Sequence, residues 1–409
     1  MSVRKKIALI GCGVRGRSYL KNLKAGYLGQ WELSAIADPD REALEYTRAE
    51  YGDGETILFE DYNSLYERQG LKLDAAIVAT PNDLHAKSII PVFERKIISV
   101  FEKPVANTIE DCAAIWKSWK ENGEPLTFLG FVLRYTPFYS RIKNMLDSGE
   151  IGQIMAMEAN EQMGPSLVSL YLRGWRRFSK IAGPLISEKC SHDIDILNWF
   201  AGAPAERVNS FATRMHFLPN KEAASNCGNC KFADSCAYSV KTLEGYSFGG
   251  KNKRPGETVN FKDSCVYNND SDIPDNQSVQ ILYENKIIAN FFVTMGQPRT
   301  NRFIRIMGTK GQIEGNLADD EFCIIKVFDK NKNLVNKQII PLSAEGGHHG
   351  GDSGISVYFR NSLNGDRSNV PLAGLREGIE SSLICFAAET SRIENRAVKV
   401  DELRHRIFS

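Results

Sequence analysis

Three groups of residues in this 409-residue chain have types and spacings that can do chemistry. The first is Gly11-Cys12-Gly13-Val14-Arg15-Gly16, a G-x-G-x-x-G turn that follows the apolar run Ile7–Ile10 and opens a helical pattern. Glycines there permit a tight turn and let the backbone approach a pyrophosphate, which then sits on the helix N-terminus. The spacing alone is a weak signal, and strand–turn–helix is the context it needs. Asp38 closes the second apolar run, Trp31–Ala37. A carboxylate at that position accepts from ribose hydroxyls and repels a 2′-phosphate, which predicts NAD rather than NADP. Arg41, close by in sequence, is the one residue that points the other way.

The second group is Glu188, His192 and Asp195, whose i, i+4, i+7 spacing puts them on one face of a predicted helix. Ile186, Ile194, Leu197 and Trp199 supply apolar surface elsewhere around it. Oxidising a carbinol requires hydride loss to a nicotinamide and proton loss from the hydroxyl. A histidine that titrates near neutrality is suited to take that proton. A fixed ammonium such as Lys103 would stabilise the developing alkoxide, with Glu188 orienting the hydroxyl or holding the lysine. Without a nucleotide fold around it, such a histidine would read as part of a solvated polar face. Upstream, Trp175-Arg176-Arg177 either lines a pocket for a polyhydroxylated ligand or is a packed tryptophan beside solvated arginines. His348 and His349, flanked by glycines and followed by Asp352, read as a substrate lid or as a solvated loop within the glycine-rich stretch 343–354.

The third group is Cys227, Cys230, Cys236 and Cys265, a C-x2-C-x5-C pattern with a fourth thiol at a distance. It lies in a polar segment, 218–275, that reads as an insertion. A small polar lobe buries too little apolar surface to fold by itself, so a metal staple is physically reasonable. Four thiolates suit structural zinc and also suit an iron–sulfur cluster; free thiols in a surface loop are the remaining reading. A closed all-cysteine site has no open coordination position, which keeps any such metal out of the chemistry.

The elements that must position these groups follow from apolar patterning. Ile7–Ile10, Trp31–Ala37, Ala75–Ala79 and Ile97–Phe101 read as buried strands, with amphipathic stretches such as Arg41–Glu50 and Leu84–Glu94 between them. That alternation predicts an α/β domain over 1–125, a Rossmann fold with a parallel sheet and helices on both faces. Longer alternating strands follow at Ile154–Gln162, Val208–Phe217, Ser278–Leu282, Ile287–Thr294, Arg302–Met307 and Phe322–Phe328. They predict an α+β domain over 126–409 with an open, mainly antiparallel sheet, closed off by a helix at 375–394. An open sheet face invites a second copy, so a homodimer or homotetramer is expected. The net charge of +1 argues against nucleic-acid or membrane partners, and no apolar run reaches transmembrane length. Ile7–Ile10 is too short for a signal peptide, and nine cysteines without an export signal argue against a disulfide framework. The expected location is the cytoplasm.

Two further segments make a resemblance specific. Ala79-Thr80-Pro81-Asn82-Asp83-Leu84-His85 follows one strand and Phe101-Glu102-Lys103-Pro104 follows the next. With the glycine turn, they resemble the Gfo/Idh/MocA family, the glucose-fructose oxidoreductase and inositol dehydrogenase superfamily. The likeness runs in order through most of the chain, including Arg134-Tyr135, the Gly149-Glu150-Ile151-Gly152 turn and the C-terminal helix. It implies cofactor contacts from Thr80, Pro81, Asn82 and His85, and a nicotinamide-ribose contact from Glu102. It further implies substrate contact and proton-transfer tuning by Lys103, with Arg134 and Tyr135 on the substrate side. The segment from Gly183 to Asp195 resembles the family motif GG-x-L-x-D-x-G-x-H-x-x-D, with His192 and Asp195 in its histidine and last aspartate positions. Glu188 replaces the usual aspartate and Cys190 a glycine. The longer carboxylate changes reach, so no relative's substrate carries over.

The function implied is hydride transfer between NAD and a hydroxyl of a sugar, sugar derivative or cyclitol. Two alternatives keep the same cofactor. One is a glycosidase that oxidises a sugar transiently and eliminates the aglycone. The other is a dinucleotide-binding regulatory protein, against which intact Lys103 and His192 argue.

Overall fold

A computed structural model of the chain describes residues 4–26, 30–243, 263–319, 321–326, 337–341, 347–366 and 372–408. Strands β1 (Lys5–Ile10), β2 (Trp31–Ala37), β3 (Ile57–Phe59), β4 (Ala75–Val78), β5 (Ile98–Phe101) and β6 (Thr127–Leu129) form one sheet. Its order is β3-β2-β1-β4-β5-β6 and every pair is parallel. The four residues of β4 and the last four of β1 are all buried, as strands covered by helices on both faces must be. Strand order reverses between β1 and β4, and a crevice opens there at the carboxyl ends of the strands. Both the glycine turn and the Thr80 loop leave the sheet at this point, and Ala79 N–H donates to the Ile10 carbonyl (2.8 Å). The parallel layer extends past residue 125, because β6 pairs with β5.

The second sheet has nine strands: β7 (Ile154–Met163), β8 (Ala205–Thr213), β9 (Asn276–Tyr283), β10 (Ile288–Met295), β11 (Asn301–Gly308), β12 (Gly311–Asn316), β13 (Glu321–Lys326), β14 (Lys337–Pro341) and β15 (Val398–Lys399). It is antiparallel except where β10 runs alongside β7. Alternation is clean in β9 and β10, where Val279, Ile281, Tyr283, Ala289, Phe291 and Val293 are buried. The helices Ser191–Ala201 and Leu375–Glu394 pack on this sheet, the first against β7 and β10 and the second against β8. The strand expected over Val208–Phe217 stops at Thr213. Past it, the backbone N–H groups of Met215, His216 and Phe217 all turn onto the carboxylate of Asp275 instead of a ladder.

The glycine-rich stretch 343–354 departs from the loop expected of it. Residues 342–346 lie outside the described residues, 347–350 form a turn, and Gly351 begins the helix Gly351–Leu363. Two glycines here serve close approach: a side chain at Gly351 would meet the Val132 carbonyl, and one at Gly354 would meet Tyr135. The helix thereby packs tightly on Val132–Tyr135 and on the helix Val14–Gly26, which brings residues 347–352 to the mouth of the crevice.

Candidate active site

The glycine turn closes tightly on itself and stays bare on its outer side. Gly11 has φ +94°, and a side chain there would strike the Ala79 carbonyl; one at Gly16 would strike the Gly11 carbonyl. Gly13 has no neighbour within 4 Å of where its side chain would start. Val14, 55% exposed, opens the helix beside it. Asp38 stands half-buried at the end of β2, accepting from the backbone N–H groups of Cys12 (2.7 Å) and Asp40 (2.8 Å). A carboxylate has lone pairs left after two such bonds, so ribose hydroxyls can still be received. Arg41 is ion-paired to Glu45 (2.5 Å) at the surface, which leaves the carboxylate as the group facing the turn. These residues fit an NAD.

From the same turn, the Arg15 guanidinium donates both to Glu102 (2.9 Å) and to Asp352 (2.9 Å). Tyr19 adds a hydroxyl donor to Glu102 (2.6 Å). Burial alone would raise the Glu102 carboxyl, but Arg15, Tyr19 and Lys103 bring it below the ordinary carboxylate range. Around the Thr80 loop the polar atoms serve the protein. Thr80 bonds Ser88 through their hydroxyls (2.9 Å), Asn82 donates to the Ala182 carbonyl (2.7 Å), and His85 lies fully buried between the carbonyls of Pro104 (2.7 Å) and Thr80 (3.0 Å). Pro81 precedes the short turn Asn82–Leu84.

The carboxylate and imidazole of the second group come from two helices, not from one continuous face. Leu185–Glu188 ends at Glu188, and Ser191–Ala201 starts afresh after Cys190. Between them Lys189 turns away to the buried Glu161 (2.9 Å). Glu188 is 3% exposed and receives Arg176 Nε (2.6 Å), the Tyr171 hydroxyl and Lys103 Nζ (3.5 Å). Lys103 also donates to the Glu188 backbone carbonyl. Burial would push the Glu188 carboxyl up, yet Lys103, Arg176 and Tyr171 together hold it below its ordinary value. Lys103 itself is pulled down by burial, with Glu188 and Glu102 acting in the opposite sense.

His192 sits beside this cluster at 5% exposure, its ring 5.7 Å from that of His348 and 6.0 Å from Phe131. Its Nδ1 has no hydrogen-bond partner among the described residues. Burial, then the charges of Lys103, His348 and Arg302, hold its pKa well below that of a free histidine. His348 lies 3.1 Å from Asp352, whose carboxyl is brought to about 2 because the His348 bond and Arg15 outweigh burial. A buried ammonium and a carboxylate thus meet, with a neutral imidazole near enough to feel the ammonium's charge, next to a nucleotide crevice joined to them through Glu102 and Arg15. That set can abstract a hydroxyl proton and stabilise the oxygen left behind.

Residues 5–129 match the model of the oxidoreductase family with an NAD-binding Rossmann fold, GFO_IDH_MocA, and residues 143–400 match that family's C-terminal alpha/beta domain. The chain belongs to this family. It is an oxidoreductase, and the expectation of a dehydrogenase acting on a CH–OH group stands with it. Among family relatives, the protein YteT of Bacillus subtilis (strain 168) is 23% identical over 84% of this chain and 86% of its own. Inositol 2-dehydrogenase 2 of Saccharopolyspora erythraea is 27% identical over 48% of this chain, and the match spans about half of that relative (53%). A levoglucosan dehydrogenase solved with NADH and levoglucosan shares the fold, with TM-score 0.72 at 17% identity over 97% of this chain and 100% of that one.

Of the residues assigned to the site from sequence, Arg134, Asp195 and Tyr135 are engaged in packing elsewhere. Arg134 and Asp195 form a buried bidentate pair (2.7 Å for both bonds), completed by Ser381, inside the packing between helices rather than in the crevice. Tyr135 receives the Leu372 N–H on its hydroxyl (3.0 Å) and packs edge-on against Tyr358. Trp175 stacks under the Arg176 guanidinium at 4.4 Å. His349 follows His348 in the left-handed region, with φ values of +51° and +48°. Tyr171 was not anticipated, because a tyrosine in an apolar helix carries no sequence signal for the carboxylate it meets. Among the described residues no three of His, Cys, Asp and Glu are placed to hold a metal ion, so neither the zinc nor the iron–sulfur reading of the cysteines has support. No described helix is long and apolar enough to cross a membrane.

Proposed function

We propose that this oxidoreductase is a cytoplasmic, NAD-dependent dehydrogenase acting on a hydroxyl of a sugar, sugar derivative or cyclitol. The observation that carries the reading is the buried contact of Lys103 with Glu188 (3.5 Å), with His192 buried near enough to feel the lysine's charge. Backbone at Gly11, Gly13 and Gly16, with the carboxylates of Asp38 and Glu102, would hold the dinucleotide. When bound, NAD supplies the hydride acceptor. His192, neutral at working pH, takes the hydroxyl proton at Nε2, since Nδ1 is sealed in the interior. Lys103 offers its ammonium to the oxygen as charge builds there, and Glu188 keeps that ammonium aimed. Arg176 and His348 supply donors of the kind a polyol requires, and Trp175 a flat apolar wall. Relatives named for inositol and levoglucosan support the substrate class.

The test is turnover of a sugar and polyol panel with NAD by the wild type and His192→Asn. Loss of the general base should lower kcat by about 10²- to 10⁴-fold, with NAD binding unchanged. Full activity in the variant would overturn the assignment of the base. Aglycone release from glycosides without added NAD would replace the dehydrogenase reading with the oxidation–elimination one.

A further inference from the structure

A proton taken by His192 has to leave again before the next turnover. The residue is 5% exposed and its Nδ1 is sealed in the interior, so a proton that enters at Nε2 must depart from the same nitrogen. Lys103, Arg302 and Lys189 all act on the ring as neighbouring positive charges. An imidazolium in that setting is unfavourable until its proton has been passed on. Glu188 is a poor recipient, because Lys103, Arg176 and Tyr171 hold its carboxyl below the ordinary value.

A second imidazole lies beside the first. The ring centre of His348 is 5.7 Å from that of His192, with the two planes tilted by 48°. The His348 side chain is 34% exposed, so it borders both the buried base and solvent. A gap of this size between two rings is one that a single water bridges. His348 Nδ1 faces both oxygens of Asp352 (3.1 Å each), and Asp352 is held in turn by Arg15 (2.9 Å). That carboxylate fixes the tautomer: Nδ1 carries the hydrogen and Nε2 keeps a lone pair with which to accept. The backbone is bent to deliver the ring. His348, His349 and Gly350 follow one another at φ +48°, +51° and +84°, a left-handed run uncommon for residues with side chains. A side chain on Gly347 would collide with the Asp352 carboxylate (2.3 Å). Backbone held in such conformations clusters at functional sites.

We propose that His348, oriented by Asp352, relays the substrate proton from His192 to solvent at the mouth of the crevice. The relay rests on the dehydrogenase reading above. As the carbinol carbon gives up its hydride to the nicotinamide, the O–H bond breaks and its proton passes to His192 Nε2. The proton then moves through one water to His348 Nε2, and His192 returns to neutral. His348, with hydrogen on both nitrogens, is stabilised by the ionised Asp352 and releases one proton to bulk water. One proton enters the relay and one leaves it, so no further oxidant or reductant is required. The surroundings set the direction. Burial lowers the pKa of both rings, but Asp352 opposes that at His348, whereas Lys103, Arg302 and Lys189 reinforce it at His192. Arg15 and Arg302 also face His348 and work against its charge.

The test uses the full-length enzyme with NAD and whichever carbinol of the sugar and polyol panel it oxidises. His348→Asn removes the relay and installs a residue that tolerates a left-handed backbone. Its kcat should fall by roughly 10²-fold, with circular dichroism and the Kd for NAD unchanged. Added imidazole should restore that rate saturably and leave the wild type unaffected. Undiminished kcat, or a loss that imidazole does not restore, overturns the relay. So does a raised KM alone, which would leave His348 as a substrate donor. The wild type gives a second reading that needs no variant. Single-turnover rates in mixtures of H2O and D2O should curve with deuterium fraction, as more than one proton in flight requires, and a linear dependence overturns the proposal. A wild type that oxidises no panel carbinol removes the dehydrogenase reading and the relay with it, whereas an active wild type with an indifferent His348→Asn removes the relay alone.

Discussion

At the scale of single residues, the site works by keeping charges where water would not. His192 is deprived of solvent and faces Lys103, so protonating it would set two cations side by side in a buried cluster. Its imidazole therefore takes up a proton less readily than a free histidine does. The sign of the Lys103 effect is testable. Lys103→Met removes a neighbouring positive charge, so the imidazolium becomes easier to form and the His192 titration moves to higher pH. Proton NMR of the Cε1–H resonance, assigned with His192→Asn, reads this directly. A titration that stays put would mean that the two side chains do not sense each other. In sequence the histidine was visible as a residue type at a suggestive spacing. Its protonation state was not, because that depends on partners brought from residues 103, 302 and 348.

Helices and turns decide which polar residues reach the crevice. Asp195 follows His192 by less than one turn, yet it points into the packing where Arg134 waits, at 1% side-chain exposure against 5%. Asp195→Ala would leave that guanidinium buried without its carboxylate, a change that costs about 3–5 kcal/mol. Thermal or denaturant unfolding should show that loss, with the substrate KM of the surviving folded enzyme unchanged. A raised KM at undiminished stability would place Asp195 on the substrate instead. The Glu-to-His spacing illustrates the same point from the other side. Four residues apart fits a single helical face, but the backbone breaks at Cys190, so the carboxylate and the imidazole are carried by two helices and Lys103 bonds only to the end of the first.

Across the whole molecule, one sheet is covered on both faces and the other on one. The open face of the nine-stranded sheet presents Phe211 (66% exposed), Ile288 (51%) and Phe292 (48%) to solvent. Aromatic and aliphatic groups gathered on a flat strand surface favour burial against a second copy. Sedimentation of the wild type should give a mass that is a multiple of 45.8 kDa, and Phe211→Lys/Phe292→Lys should shift it toward the single chain. Wild-type protein that sediments as one chain would show this face to be uncovered.

Local signals determined the architecture: apolar runs of strand length, glycines at a strand end, an aspartate closing β2 and the Glu102-Lys103-Pro104 segment are all contiguous in the chain. Period-two burial likewise placed β7, β9, β10 and β11, because alternation survives without knowledge of neighbours. Tertiary structure alone decided that Arg15 spans Glu102 and Asp352, that Tyr171 and Arg176 meet Glu188, and that Arg134 is matched by Asp195. Those pairings join residues far apart along the chain, and nothing in a single sequence records which distant charge will neutralise a buried one. Burial supplies the reason: once water is removed, each ionised group must find its partner in the fold, and the fold, not the spacing, sets who that partner is.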